Sequence, residues 1–162
     1  MAQIAQLQVS YSQTEDRLLL RMSTDNREEF RFWVTRRYLL LLRPVLRTMT
    51  ERSGKAASAA DAGAKRTVTQ FEKEQALATV DFATAFDEAD QTLPMGDVPV
   101  LLARIQSKTG PSGNIVLCLH SDTGVGVELA MEIGLLHSLA SLLDQGISQA
   151  NWAITEPEAS AE

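Results

Sequence analysis

Two segments of this chain share one pattern of apolar and polar residues at a constant spacing of 97 positions, with no gap in either segment. The first begins LLLRMSTDN at Leu18, and the second begins IVLCLHSDT at Ile115. The pattern predicts a duplication, which restricts the fold to two copies of one supersecondary unit. The apolar positions that coincide are Leu18/Ile115, Leu20/Leu117, Met22/Leu119, Phe30/Val127, Phe32/Leu129, Val34/Met131, Leu39/Leu136, Leu42/Leu139, Val45/Leu142 and Leu46/Leu143.

Three strands are predicted in each copy, because apolar and polar residues alternate with a period of two. The first strands of the two copies align when one extra loop residue is allowed, so that IAQLQ from Ile4 matches LARIQ from Leu102. The predicted strands are 5–11, 17–23 and 29–35 in the first copy, and 101–105, 114–120 and 125–131 in the second.

Turns and helices complete each copy. The turn-forming sequences STDN and SDTG join the second and third strands; Gly124 can adopt a positive φ in one turn, and Asn26 tolerates it in the other. After the third strand the apolar period changes to 3.6, which predicts helices ending near positions 49 and 147. Thr35 is the expected N-cap of the first helix, and Gly146 marks the expected end of the second.

The repeat predicts an α+β fold in which tandem duplicated β-β-β-α units form a mainly antiparallel sheet of about six strands packed by helices. A flexible linker is expected as far as Lys65, since the residues from Ser53 are small and polar. The Thr69–Glu72 capping box then predicts an inserted helix. The expected units are 1–52 (first β-β-β-α unit), 53–97 (linker and inserted helix), 98–154 (second β-β-β-α unit) and 155–162 (disordered acidic tail).

The sequence EDRLLLRMST followed by EFRFWVTRR resembles the opening of a family of short bacterial proteins to which no function is attached. The resemblance covers most of the chain in general pattern and implies no site. In outline, duplicated antiparallel strands followed by a helix also resemble PUR-repeat and Whirly proteins, which bind single-stranded nucleic acid. Those units have four strands for each helix, whereas three are predicted here, and no signature motif is shared.

Charge is unevenly distributed along the chain. The formal net charge is -6, so no overall basic field attracts nucleic acid or a membrane. Up to Arg52, however, the chain carries nine arginines, no lysine and six acidic residues, whereas the remainder carries six cations and fifteen acidic residues. The single cysteine excludes an intramolecular disulfide and, with a start unlike a secretory signal, predicts a cytoplasmic protein. The longest aliphatic run, Leu39–Leu42, is too short to span a membrane.

Motifs for catalysis or cofactor binding are scarce. The sequence has no GxxxxGK[ST] or GxGxxG motif, and one cysteine with two histidines cannot form a Cys/His zinc site in one chain without carboxylates. We therefore expect no catalytic residue, metal or cofactor. The best enzyme candidate is the pair Cys118 and His120, which share one face of a strand. We prefer a buried structural cysteine, because only Asp122, in the adjacent turn, is placed to orient the pair.

The most distinctive surface is predicted on the second and third strands of the first copy. If the coinciding apolar residues face the core, alternation places arginines and large apolar residues on the opposite face. These residues, here named the Arg/Trp patch, are Arg17, Leu19, Arg21, Arg31 and Trp33. The corresponding face of the second copy carries Asn114, Val116, Cys118, His120, Glu128 and Ala130.

Three interpretations of the Arg/Trp patch remain open. It can bind a protein, since Trp and Arg are enriched at interfaces. It can bind single-stranded nucleic acid through phosphate contacts and base stacking. Alternatively, a helix of this chain covers it, with the arginine charges offset by Glu28 or Glu29. We favour a non-enzymatic protein-binding or assembly protein, expected to be a homo-oligomer, with nucleic-acid binding as the alternative.

A second set of arginines is predicted on the first helix. Arg36, Arg43 and Arg47 are spaced by seven and four positions, so they lie on one side of it. The opposite side carries the apolar residues that face the core. We interpret the arginine set as an ordinary solvated face.

Overall fold

The computed structural model describes residues 4–52, 63–64, 66–68, 70–71, 74, 91–111 and 113–152. The strands are β1 (Ile4–Ser12), β2 (Arg17–Thr24), β3 (Glu29–Val34), β4 (Val100–Leu101), β5 (Arg104–Thr109), β6 (Ile115–His120) and β7 (Gly126–Ala130). The helices whose bounds are described are α1 (Arg36–Arg52) and α2 (Ile133–Ala150). The fold is therefore α+β, as the change of apolar period predicts.

The strands form two sheets, so the prediction of a single sheet of about six strands was wrong. One sheet has the order β1-β2-β3-β4 and the other β5-β6-β7, and every pairing between these strands is antiparallel except β3 with β4. The cause lies where β4 ends. The N–H of Leu102 donates to the carbonyl of Trp33, whereas the N–H of Ala103 donates to that of His120, each at 2.9 Å. A segment expected to be one strand is therefore divided between the sheets.

Strand registers in the two sheets correspond at the spacing seen in the sequence. The central pairs are Leu20–Phe32 in β2–β3 and Leu117–Leu129 in β6–β7. The first strands are related by 98 positions instead, since Val9 pairs with Leu20 and Ser107 pairs with Leu117. This difference of one residue is the extra loop residue that the sequence alignment requires.

The β2–β3 and β6–β7 turns also have corresponding backbone geometry. The N–H of Arg27 donates to the carbonyl of Thr24, and the N–H of Gly124 donates to that of Ser121, both at 3.1 Å. Arg27 and Gly124 have positive φ angles of 59° and 91°. The prediction for Gly124 is therefore confirmed, whereas in the first turn the positive φ falls on Arg27 and not on Asn26.

Both helices contribute to one shared core, and each packs on the first strand of the opposite half. α2 packs against β1, α1 packs against β5, and the two helices pack against each other. We call this arrangement the helix exchange. The buried core residues are Leu18, Leu20, Met22, Phe30, Phe32, Val34, Leu39, Leu42, Leu46, Met49, Leu102, Leu117, Leu119, Leu129, Met131, Leu136, Leu139, Leu143 and Trp152.

The ends of the helices agree with the sequence at one position and differ at another. Thr35 caps α1, because its Oγ1 accepts a hydrogen bond from the N–H of Tyr38 at 3.4 Å. Gly146, expected to end α2, lies inside that helix. A Cβ there would lie 3.0 to 3.1 Å from the side chains of Leu18 and Val9, so glycine permits this close approach. α2 ends instead at Asn151, which is left-handed, with φ 53° and ψ 45°.

Most of the expected linker, part of the inserted helix and the acidic tail lie outside the described residues; the described linker residues, Gly63 and Ala64, are helical. Between positions 63 and 74, the described residues are helical, and Thr67 Oγ1 donates to the carbonyl of Gly63 at 3.1 Å. Helical conformation thus includes positions before Thr69, where the sequence placed its start. Within the described part of the chain, no helix has the length and apolar character needed to cross a membrane.

Candidate interaction surface

Alternation along β2 and β3 separates core residues from the Arg/Trp patch, as predicted. Leu18, Leu20 and Met22 are buried, whereas all five patch residues are partly exposed. Cross-strand pairing places Leu19 opposite Trp33 and Arg21 opposite Arg31. The patch therefore forms one continuous area on the outer face of the four-stranded sheet.

Leu101 of β4 extends the patch. It pairs with Trp33 on one side of β3, and Leu19 pairs with Trp33 on the other. Leu101 is 47% exposed, so three large apolar side chains form a row across adjacent strands. The sequence could not identify Leu101 as part of this surface, because alternation assigned it to the first strand of the second copy.

Arg17 and Trp33 form a cation–π pair within this area. The guanidinium carbon of Arg17 lies 4.2 Å from the centroid of the Trp33 ring, well within the range of this interaction. Arg17 Nη2 also donates to Glu15 Oε1 at 2.9 Å. The indole ring and the cation thus hold each other in place on a partly exposed face.

Glu29 forms ion pairs with the other two patch arginines. Its carboxylate accepts hydrogen bonds from Nε and Nη2 of Arg21 at 3.1 and 3.3 Å, and also from Arg31 Nε. The Glu29 side chain is only 2% exposed. Burial by itself raises the pKa of Glu29, but the hydrogen bonds and charges of Arg21 and then Arg31 outweigh burial and hold that pKa below its ordinary value. The sequence left open whether Glu28 or Glu29 offsets the patch arginines. Glu29 is the residue that pairs with Arg21 and Arg31.

The corresponding face of the three-stranded sheet has a different character. Val116 and Cys118 point outward by alternation, yet both are buried. Lys108 on β5 and Glu128 on β7 form an ion pair of 2.8 Å across β6. Burial raises the pKa of Cys118, and the negative charge of Glu128 raises it further.

This environment weakens the enzyme hypothesis for Cys118 and His120. A thiol with a raised pKa is a poor nucleophile near neutral pH. The charged groups that shift the pKa of Cys118 are Glu128 and Lys108, and His120 is not among them. In the portion of the chain that the structure describes, no group of three or more His, Cys, Asp or Glu side chains is arranged to hold a metal ion.

The arginines expected on one solvated face of α1 separate into two environments. Arg43 forms an ion pair with Asp144 of α2 at 3.5 Å, which ties the two helices together. Arg36 and Arg47 are exposed. Only part of that set is therefore solvated.

Comparison with known proteins identifies no relative. No protein-family model matches the chain, and no curated protein or solved structure is significantly similar to it. Functional inference therefore depends on the surface chemistry described above.

Proposed function

We propose that this chain is a non-enzymatic protein-binding or assembly protein, and that the Arg/Trp patch together with Leu101 is its interaction surface. The observation that carries the proposal is the apolar row Leu19–Trp33–Leu101 on the outer face of the four-stranded sheet. Covering apolar surface contributes about 25 cal/mol per Å2 to association. A partner that covers this row gains that contribution, and partly exposed Trp and Arg are the residues most often found at binding hot spots.

The charges around the row favour a second copy of the chain as the partner. Beside the row, Arg17 forms an ion pair with Glu15, whose side chain is 45% exposed, whereas the carboxylate that Arg21 and Arg31 share, Glu29, is buried. Exposed charges of both signs therefore border the row. A surface that carries both signs of charge can be complementary to itself. A two-fold homodimer requires that property, because the same area contributes both sides of the interface.

The proposal is tested by Trp33→Ala and Leu101→Ala, with Val98→Ala as the control. Val98 lies two residues before β4 and is 75% exposed, so its removal changes a similar apolar side chain outside the row. We expect the first two variants to weaken self-association by about 2 kcal/mol, measured by analytical ultracentrifugation, while circular dichroism remains that of the folded protein. Unchanged self-association in both variants, or an unassociated wild type, would reject the homo-oligomer.

Single-stranded nucleic-acid binding through the same patch is the alternative. The observation that favours it is the partly exposed Trp33 ring with Arg17 beside it, since aromatic rings stack on bases. The glutamate partners of the patch arginines weigh against it, because paired cations contribute less to phosphate binding. A gel-shift titration with an oligodeoxynucleotide separates the two: salt-sensitive binding that Trp33→Ala abolishes would favour this alternative.

We also propose that the two halves arose by duplication of one β-β-β-α unit. The support is the corresponding registers, turns and helix positions at a spacing of 97. A cytoplasmic location is proposed as well, on the ground that the single cysteine is a free thiol.

A further inference from the structure

The exposed side of α1 is a second surface, distinct from the Arg/Trp patch. It carries four arginines, Arg36, Arg37, Arg47 and Arg52. No ion pair involves any of the four within the described portion of the chain. The single acidic residue of the helix is Glu51. This face therefore has a net positive charge in a protein whose formal net charge is -6.

Two leucines lie among these arginines. Leu40 is 39% exposed and Leu41 is 50% exposed. Each follows an arginine by four positions, so Leu40 lies beside Arg36 and Leu41 beside Arg37 on the helix surface. The surface thus alternates cations with aliphatic groups, which differs from an ordinary solvated face of charged residues alone.

The position of the first two arginines points to an anionic partner. Arg36 and Arg37 lie in the first turn of α1, and that turn contains no acidic residue. The positive end of the helix dipole disfavours cations there and favours anions. A bound carboxylate near this turn would interact favourably with both guanidinium groups and with the dipole.

We infer that the exposed side of α1 binds an acidic protein segment that also carries apolar side chains. Carboxylates of such a segment pair with the arginines, and its apolar side chains cover Leu40 and Leu41. Nucleic acid fits this face less well. Proteins that bind single strands stack the bases on aromatic rings, and the exposed positions of α1 carry none.

The spacing of the arginines sets the length of the segment. Arg36 and Arg47 are eleven positions apart, which corresponds to about 16 Å along a helix axis. An extended chain covers that distance in about five residues. A short linear segment with acidic residues at both ends and apolar residues between them therefore fits.

Fluorescence anisotropy with synthetic peptides tests the inference. The probe is a labelled peptide of glutamate and leucine, compared with peptides in which lysine replaces glutamate or serine replaces leucine. The full-length protein should bind the glutamate–leucine peptide best, with an affinity that falls as salt is added. Arg37→Glu should weaken binding by about tenfold, since interface arginines are often hot spots.

Matched variants supply the controls. Arg104→Glu makes the same charge change at an exposed position of β5, and it should bind as the wild type does. Leu41→Ala should weaken binding, whereas Val125→Ala, at a turn position with 44% exposure, should not. Circular dichroism verifies that each variant is folded.

Three outcomes would overturn the inference. The first is equal binding by Arg37→Glu and Arg104→Glu. The second is equal binding of the leucine and serine peptides, which would leave only nonspecific charge attraction. The third is a preference for a single-stranded oligodeoxynucleotide over the peptide. Trp33→Ala and Leu101→Ala should bind the peptide as the wild type does. The experiment can therefore reject peptide binding by α1 without rejecting self-association through the Arg/Trp patch.

Discussion

The indole Nε1–H of Trp152 donates a hydrogen bond of 2.8 Å to Asp16, across 136 positions of the chain. Tyr11 donates its hydroxyl to the same carboxylate oxygen at 2.7 Å. The Tyr11 and Trp152 rings pack edge to face, with centroids 6.1 Å apart. These interactions fix the chain just after α2 to the hairpin formed by β1 and β2.

The first prediction concerns the pH dependence of this contact. Hydrogen bonds from Trp152 and then Tyr11 hold the pKa of Asp16 below its ordinary 3.8. A carboxyl with a lowered pKa stabilises the folded state above its unfolded pKa, and the effect is lost as pH falls through the folded pKa. Trp152→Phe should therefore be less stable than the wild type at pH 7, and the difference should narrow below about pH 4. Urea unfolding at several pH values measures this; a difference that does not depend on pH would contradict it.

The second prediction concerns Glu29. Glu29→Gln removes the charge that Arg21 and Arg31 share, leaving two guanidinium groups close together. We expect a loss of about 2 kcal/mol in the free energy of unfolding, less than the roughly 3 to 5 kcal/mol for a fully buried pair, because Arg31 is partly exposed. Since the pKa of Glu29 is lowered, the stabilisation is present above its ordinary pKa of 4.5 and is lost as pH falls further.

Glu128→Gln is the matched control for this prediction. Glu128 lies on the outer face of the other sheet. It forms an ion pair with Lys108, and both side chains of that pair are exposed. Exposed pairs contribute about 0 to 1 kcal/mol, so the control should unfold almost as the wild type does. If both variants lose the same stability in chemical denaturation, burial is not what makes Glu29 important.

The third prediction concerns Gly146. Gly146→Val adds methyl groups where even a Cβ would lie 3.0 Å from Leu18, and overpacking of this kind costs about 1 to 3 kcal/mol. Gly134→Ala should do the opposite, because no atom lies within 4 Å of its added Cβ and alanine favours a helix by about 1 kcal/mol. Thermal unfolding measures whether each variant is more or less stable than the wild type. A Gly146→Val variant as stable as the wild type would contradict the close packing at this position.

The fourth prediction uses the two corresponding turns. Arg27→Gly should stabilise the protein by about 0.5 to 1 kcal/mol, because glycine adopts positive φ without the strain of an L side chain. Gly124→Ala should destabilise it by a similar amount for the same reason. Denaturant titrations compare the stabilities of Arg27→Gly and Gly124→Ala. If both variants are stabilised, or if neither is, the shared turn geometry is contradicted.

Much of the local structure follows from the sequence, because each local signal reports a local conformation. Alternation from Leu18 to Met22 predicts a strand with one buried face, and Thr35 predicts the start of α1. The same alternation correctly assigns Arg17 and Trp33 to the outer face. These predictions need only the periodicity of strands and helices.

The arrangement of the elements does not follow, because it depends on contacts between distant residues. No sequence signal near Leu101 indicates that it pairs with Trp33, or that the chain then enters β5 of the other sheet. Gly146 carries the ordinary signal of a helix end, and only its distant neighbours Val9 and Leu18 explain why it lies inside α2. The burial of Glu29 likewise depends on two arginines from different strands.

The helix exchange has a consequence for folding during synthesis, because β1 packs against a helix that is synthesised much later. Val9 packs against Gly146 of α2. The β1–β2 hairpin is therefore synthesised well before the helix that covers it. At about 5 to 20 residues per second, this interval is on the order of ten seconds. During that time the apolar side of β1 and β2 is accessible to chaperones and proteases. A premature stop codon before α2 would make this exposure permanent, and the truncated product should aggregate rather than fold.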